Sequence, residues 1–166
     1  MKMIKVWDKE VRCDLWDTAG QEKYRALGKH FYKDSYIVCL VYDITNIYSF
    51  EELKEAWYPD LKKYGEKYQV IGVVGSKSDL FEEEAVPEDE GRAFAEKIGG
   101  IFNLVSAKTG DGINLLFKNL VAKYLGPEFT EKLNEIKSER TKTMKLDIVE
   151  HQKKDEVIGK KKSKCC

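Results

Sequence analysis

The string Trp16-Asp17-Thr18-Ala19-Gly20-Gln21-Glu22 holds three residue types suited to phosphate chemistry. The Asp17 carboxylate can hold a hydrated Mg²⁺. Gly20 comes three residues later and has no Cβ, so its backbone N–H can approach a terminal phosphate closely. Gln21 carries a donor and an acceptor on one neutral amide and can orient a water for in-line attack. The alternating apolar run at 11–16 reads as a strand ending at this string. That places the three groups at the carboxyl edge of an α/β sheet, where such sites are built. Asp, Thr and Gly are also ordinary turn residues, and a plain turn is the competing reading.

Two shorter strings follow later strand ends. In Gly75-Ser76-Lys77-Ser78-Asp79-Leu80, Asp79 can accept both N–H groups of guanine's Watson–Crick edge, a pair that adenine lacks. The Lys77 stem can lie over the flat base. Ser106-Ala107-Lys108 stands just beyond the run at 101–105. Each string alone is a common surface sequence. In this order, each behind a strand and both downstream of residues 16–22, they read together as guanine recognition.

The elements that must carry these strings can be followed along the chain. Residues 3–7 and 11–16 read as strands joined by the polar turn Asp8-Lys9-Glu10, and 21–31 as a weak helix or mobile loop. Residues 37–42 are a continuous apolar run, as for a strand buried on both faces of a parallel sheet. Cys13 and Cys39, inside such runs, are expected to be buried thiols. Ser49-Phe50-Glu51-Glu52 has the capping-box pattern that opens a helix. Phe50, Leu53, Trp57, Leu61 and Tyr64 share one stripe of it, and Pro59 predicts a kink or break near Trp57. Residues 70–74 form another buried strand. Pro87 and the acids after it suit the first turn of a helix reaching Ile98 and stopping at Gly99-Gly100. A last strand at 101–105 precedes a stripe of Ile113, Leu116, Phe117, Leu120, Val121 and Tyr124. This alternation implies an α/β fold with a doubly wound, mostly parallel sheet.

An apolar fraction of 42% can build a core, while 35% charged residues leave room for a solvated extension. The 29 basic and 29 acidic residues cancel, and nothing in that balance points to nucleic acid. The expected division is a domain at 1–126 and a flexible basic tail at 127–166, with 11 basic against 8 acidic residues in the tail. The tail closes on Lys160, Lys161, Lys162, Ser163, Lys164, Cys165 and Cys166. The cysteines form no disulfide or zinc pattern. The longest apolar run, 37–42, is too short to span a bilayer. With no signal peptide either, a cytoplasmic chain meeting membranes from their cytosolic face is expected.

The 16–22 string resembles the third nucleotide-binding motif, switch II, of Ras-superfamily small GTPases. The flanking blocks resemble the Rab branch: Val11-Arg12-Cys13-Asp14-Leu15-Trp16 before it, Lys23-Tyr24-Arg25-Ala26-Leu27 after it, then Phe31-Tyr32-Lys33-Asp34 and Val41-Tyr42-Asp43-Ile44-Thr45-Asn46. The resemblance covers about residues 4–125. It implies the small-GTPase (P-loop NTPase) fold, with GTP or GDP and Mg²⁺ as ligands. Gln21 would be the catalytic residue that orients water. Asp17, Thr18, Ala19 and Gly20 would face the phosphates, with Asp17 reaching the metal through water. Ser76, Lys77, Asp79, Ser106, Ala107 and Lys108 would surround guanine. There the Ala107 N–H meets the guanine oxygen, and Lys108 supports the ring opposite Lys77. The family usually has asparagine at the position of Ser76, and the shorter serine supplies only part of its bonding.

The resemblance also gives the tail a role. Cys165 and Cys166 look like the Rab geranylgeranylation signal, and the nearby lysines would add attraction to anionic leaflets. It implies escort, prenylation and effector proteins as partners, and reversible attachment to the cytosolic face of intracellular membranes.

The P-loop pattern G-x-x-x-x-G-K-[ST] does not occur, since Gly28-Lys29 is followed by His30 and Gly159-Lys160 by Lys161. The resemblance enters at the family's second strand. An N-terminally truncated form is therefore expected, without the first strand, P-loop, first helix and switch I threonine. Losing about five charge-assisted phosphate bonds at roughly 1.5–3 kcal/mol each removes on the order of 10 kcal/mol of binding. The expectation is a Rab-like GTP-binding and GTP-hydrolysing switch in vesicular traffic, with nucleotide binding weak or lost and no turnover by the chain as written. The alternative is a nucleotide-free Rab-like protein that binds escort or effector proteins. The family's first strand lies between those matching 11–16 and 37–42, so both of these are expected to show open edges.

Overall fold

The structure is a computed structural model that describes residues 1–18, 32, 35–66 and 69–131. It opens with an antiparallel hairpin of β1 (Lys2–Val6) and β2 (Lys9–Cys13), with Ile4 opposite Val11. Ile4 and Val6 are buried on one face. The connection is the two-residue turn Trp7-Asp8, and Trp7 takes a φ of 59°.

β2 stops at Cys13 rather than continuing to Trp16. Lys2, the first residue of β1, already stands opposite Cys13, so the following residues have no partner on β1. Asp14 instead accepts from Arg12, Nη2 at 2.9 Å and Nε at 3.3 Å. Residues 14–18 carry no regular structure.

A second sheet has the order β3 (Ile37–Asp43), β4 (Val70–Ser76), β5 (Ile101–Leu104), parallel throughout. Asp43 pairs in register with Ser76, so the first two strands end together. Parallel neighbours need crossovers, and helices supply them. The first crossover is continuously helical: α1 (Ile47–Glu52), a π-helical turn (Leu53–Trp57) and α2 (Tyr58–Tyr64). The second holds a 3₁₀ segment (Ser78–Glu83) and α3 (Glu88–Lys97). α4 (Ile113–Leu125) follows β5.

Helices cover the sheet from both sides. Leu40, Tyr42 and Val73 pack with Phe50, Leu53, Leu61 and Ala95 of the crossover helices. Val70, Val74 and Val105 pack with Leu116 and Leu120 of α4. α4 also packs against β1. This is the doubly wound α/β arrangement that the alternation predicts.

Local chemistry sets the helix ends. α1 begins at Ile47, not at the capping box: Asn46 Oδ1 accepts the Tyr48 N–H at 3.0 Å and caps the helix three residues before Ser49. The Ser49 hydroxyl instead accepts from the Asp43 N–H at 3.0 Å and donates to the Asn46 carbonyl at 2.7 Å. Pro59 has no N–H and would collide with the carbonyl four residues back. The chain absorbs it as a π turn, in which the Tyr58 N–H reaches the Leu53 carbonyl, rather than as a break. α3 ends as expected at Gly99-Gly100. Gly99 takes a φ of +70°, its N–H bonds the Glu96 carbonyl at 3.0 Å, and the Gly100 N–H bonds the Ala95 carbonyl at 2.8 Å.

The two early cysteines are not the buried thiols their runs suggest. Cys13 is half-buried and Cys39 exposed. Cys39 and Val41 lie on the face of β3 that the helices leave open, and Val41 is 56% exposed. Among the described residues β3 pairs only with β4 and β2 only with β1, so both strands show the open edges expected of them.

The chain divides into a unit at Met1–Pro127 and one at Glu128–Cys166. Residues 127–131 are helical. The rest of the tail, including Cys165 and Cys166, lies outside the described residues, as do Ala19, Gly20, Gln21 and the segment to Phe31. Among the described residues no helix is long and apolar enough to cross a membrane.

Candidate functional site

The three strand ends of the parallel sheet supply the residues that converge. β4 finishes at Ser76, and Lys77 turns the chain with left-handed dihedrals of 62° and 35°. The next N–H, of Ser78, bonds the Val105 carbonyl at 3.0 Å and ties this turn to the loop after β5. Asp79 is thereby brought beside Ser106.

Ser106 is fully buried and organises its own loop. Its N–H bonds the Asp111 carbonyl at 3.0 Å, and its carbonyl accepts from Gly110 at 2.9 Å. Its Oγ accepts from the Thr109 N–H at 3.1 Å and donates to Asp79 Oδ1 at 2.6 Å. Lys108 Nζ approaches Asp79 Oδ2 at 3.6 Å from the exposed rim. The Ser106 hydrogen bond, aided by Lys108, holds the Asp79 carboxyl below its usual range. Asp79 is therefore a fixed, ionised, acceptor-only group, which suits a ligand presenting two N–H donors side by side. Ala107 is exposed beside it.

Lys77 and Ser76 take a different course. Lys77 Nζ sits 2.6 Å from Asp43 Oδ2. The other Asp43 oxygen accepts from the Thr45 N–H at 2.9 Å and its hydroxyl at 2.8 Å. Burial pushes the Asp43 carboxyl up, but the Lys77 pair and the Thr45 bonds outweigh it and hold it below the ordinary value. The same pair raises Lys77. The sequence strings do not mark Asp43 as a site residue. Its signal is its place as the last residue of β3, in register with Ser76. Ser76 Oγ donates to the Tyr42 carbonyl at 2.7 Å, so its hydroxyl hydrogen is committed to the neighbouring strand.

The phosphate side is only partly described. Asp17 and Thr18 are exposed. Among the described residues neither is joined by a hydrogen bond or ion pair to the base strings. No group of three metal-ligating side chains occurs among those residues. Mg²⁺ at a nucleotide takes one or two carboxylates plus phosphate oxygens and water, so the lone Asp17 carboxylate fits a water-mediated role.

Comparison with known proteins agrees with this arrangement of strings on a small α/β sheet. The Ras family model matches residues 1–126. Ras-related protein RGP2 of Oryza sativa subsp. japonica is 38% identical over 125 residues, which covers 75% of this chain and 57% of that protein. The chain belongs to the Ras family of small GTPases, a class that uses guanine nucleotides and Mg²⁺. It spans 57% of the length of the curated relative it matches.

Proposed function

We propose that this chain is a Rab-type small GTPase, a guanine-nucleotide-dependent switch in vesicular membrane traffic. Asp79 receives the two N–H donors of guanine. Ala107 offers its N–H to the base oxygen, and Lys77 and Lys108 flank the ring. Gln21 orients water, while Asp17, Thr18, Ala19 and Gly20 line the phosphate side. Mg²⁺, when bound there, neutralises phosphate charge. The observation that carries this reading is the 2.6 Å bond between Ser106 and Asp79, which joins two loops into one acceptor site.

In the 166-residue chain by itself, which holds no P-loop string and has the Ser76 hydroxyl hydrogen on Tyr42, recognition is expected to rest on the base. The nitrogen-15-labelled 166-residue chain is expected to bind guanosine and GDP at similar concentrations, with saturable shifts at the Asp79 and Ala107 amides. Adenosine is expected to leave them unmoved, and Asp79→Asn to remove the response. Equal shifts with adenosine would sink the guanine assignment. GDP binding a thousandfold tighter than guanosine would show strong phosphate donors and refute base-borne recognition.

A second reading is favoured by Leu15 and Trp16, which are 55% and 73% exposed beside Asp17. In it the chain is a nucleotide-free Rab-like protein whose surface engages escort or effector proteins. It predicts effector capture with no response to any nucleoside.

The tail extends the leading reading. Geranylgeranyl groups on Cys165 and Cys166, with the Lys160–Lys164 charges, would hold the protein reversibly on the cytosolic face of intracellular membranes. Residues 127–166 fused to a complete Rab domain are expected to direct it to membranes. Cys165→Ser with Cys166→Ser should abolish this, and undiminished pelleting of the double variant would refute the anchor.

A further inference from the structure

A cleft of about 340 Å³ opens between β1 and α4, lined by residues that belong to none of the nucleotide strings. Lys2, Met3, Ile4 and Lys5 of β1 line it together with Trp7 of the hairpin turn and Asn114 and Lys118 of α4. Three of the lining residues are lysines and none is acidic. Among the described residues none of the three is in an ion pair. Lys2 Nζ lies 5.3 Å from the centre of the Phe117 ring. Glu10 faces Lys5 across the hairpin register without pairing with it.

Trp7 adds two observations of its own. Its indole Nε1–H is buried and, among the described residues, has no acceptor. Its backbone is left-handed at the first position of a two-residue hairpin turn, where Asp8 is not, and that is a place glycine ordinarily fills. A bulky side chain held in that region, on the wall of a cationic cleft, is the kind of local strain that gathers at ligand sites.

We propose that this cleft is a second ligand site, for a small phosphate-bearing anion. Its phosphate oxygens accept from the Asn114 amide, Trp7 forms part of the wall, and Lys2, Lys5 and Lys118 neutralise its charge through charge-assisted bonds. The volume suits one phosphorylated ring or polyol rather than a length of polypeptide. A soluble phosphate ester and a phosphorylated lipid headgroup share this chemistry. The inference stands apart from the guanine site, since no residue is common to the two.

The test follows the three indole N–H signals of the full nitrogen-15-labelled chain, assigned by Trp7→Phe, at constant ionic strength. Inositol trisphosphate is expected to shift the Trp7 signal saturably, while sodium chloride does not. Lys118→Gln, at an exposed position of α4, should weaken this about tenfold or more, as loss of a charge-assisted bond implies. Phosphatidylcholine vesicles with and without phosphatidylinositol phosphate distinguish the sources. Response to the soluble ester supports a free anion, and response to the lipid-bearing vesicles alone supports a headgroup. A Trp7 signal that no phosphate moves beyond the chloride control, or that moves equally in Lys118→Gln, would overturn the site.

Discussion

Asp43 fixes where Lys77 rests, and Lys77 belongs to the string that reads the base. The pair is short at 2.6 Å, but the Lys77 side chain is 56% exposed, so solvent screens much of its worth. Asp43→Asn keeps the acceptor for Thr45 and removes only the charge. It is expected to cost about 0.5–1 kcal/mol at neutral pH, read from the urea midpoint. The pH dependence has a definite sign. The Asp43 carboxyl lies lower in the fold than in the unfolded chain, so its stabilisation is present above the unfolded value of about 4 and is lost as pH falls through the folded one. Lys77 is raised, so its share is full below its unfolded value of about 10.4 and is lost as pH rises through the folded one. The gap between wild type and Asp43→Asn should therefore be full near neutrality and close in acid. A gap that persists unchanged in acid would show that the charge is not what Asp43 contributes.

At the scale of the element, the start of α4 depends on one glycine. Gly112 has a φ of +73°, and a Cβ there would stand 2.1 Å from the Leu104 carbonyl oxygen. Gly112→Ala therefore combines left-handed strain with a clash against a β5 backbone that cannot yield. It is expected to destabilise by at least about 2 kcal/mol, seen as a lower denaturation midpoint; a variant as stable as wild type would mean that the loop re-forms. The same scale shows what the sequence made legible. The parallel strands, α3 with its glycine stop and α4 were readable because periodicity and terminators agree there. The end of β2 was not: apolar residues continue to Trp16, but pairing stops where β1 begins. The capping box at Ser49 competes with Asn46, and only the Asp43–Ser49 bond decides between them. In the candidate site, Asp79, Ser106 and Lys108 were legible from their order along the chain. The Asp43–Lys77 pair was not, because register across two strands creates it.

For the molecule as a whole, the unpaired strand edges decide behaviour. Among the described residues β3 has one strand neighbour and β2 has one, so each leaves a row of backbone donors and acceptors unpaired by strand. Beside the β3 edge, Val41 and Cys39 expose apolar surface, and Leu15 and Trp16 do so beyond the end of β2. Edges of this kind add strands from other chains unless a charge, bulge or cover prevents it. The chain is therefore expected to self-associate as its concentration rises, with sedimentation coefficients that climb accordingly. The effect should persist in reducing buffer, because it does not require a disulfide through exposed Cys39. Val41→Lys puts a charge on the open face at an exposed position, so it should leave the core intact and shift association to higher concentration. A monomer at every concentration, with one sharp cooperative melt, would mean that these edges are covered in solution. Association that Val41→Lys leaves unchanged would instead move its origin away from β3, toward Leu15 and Trp16.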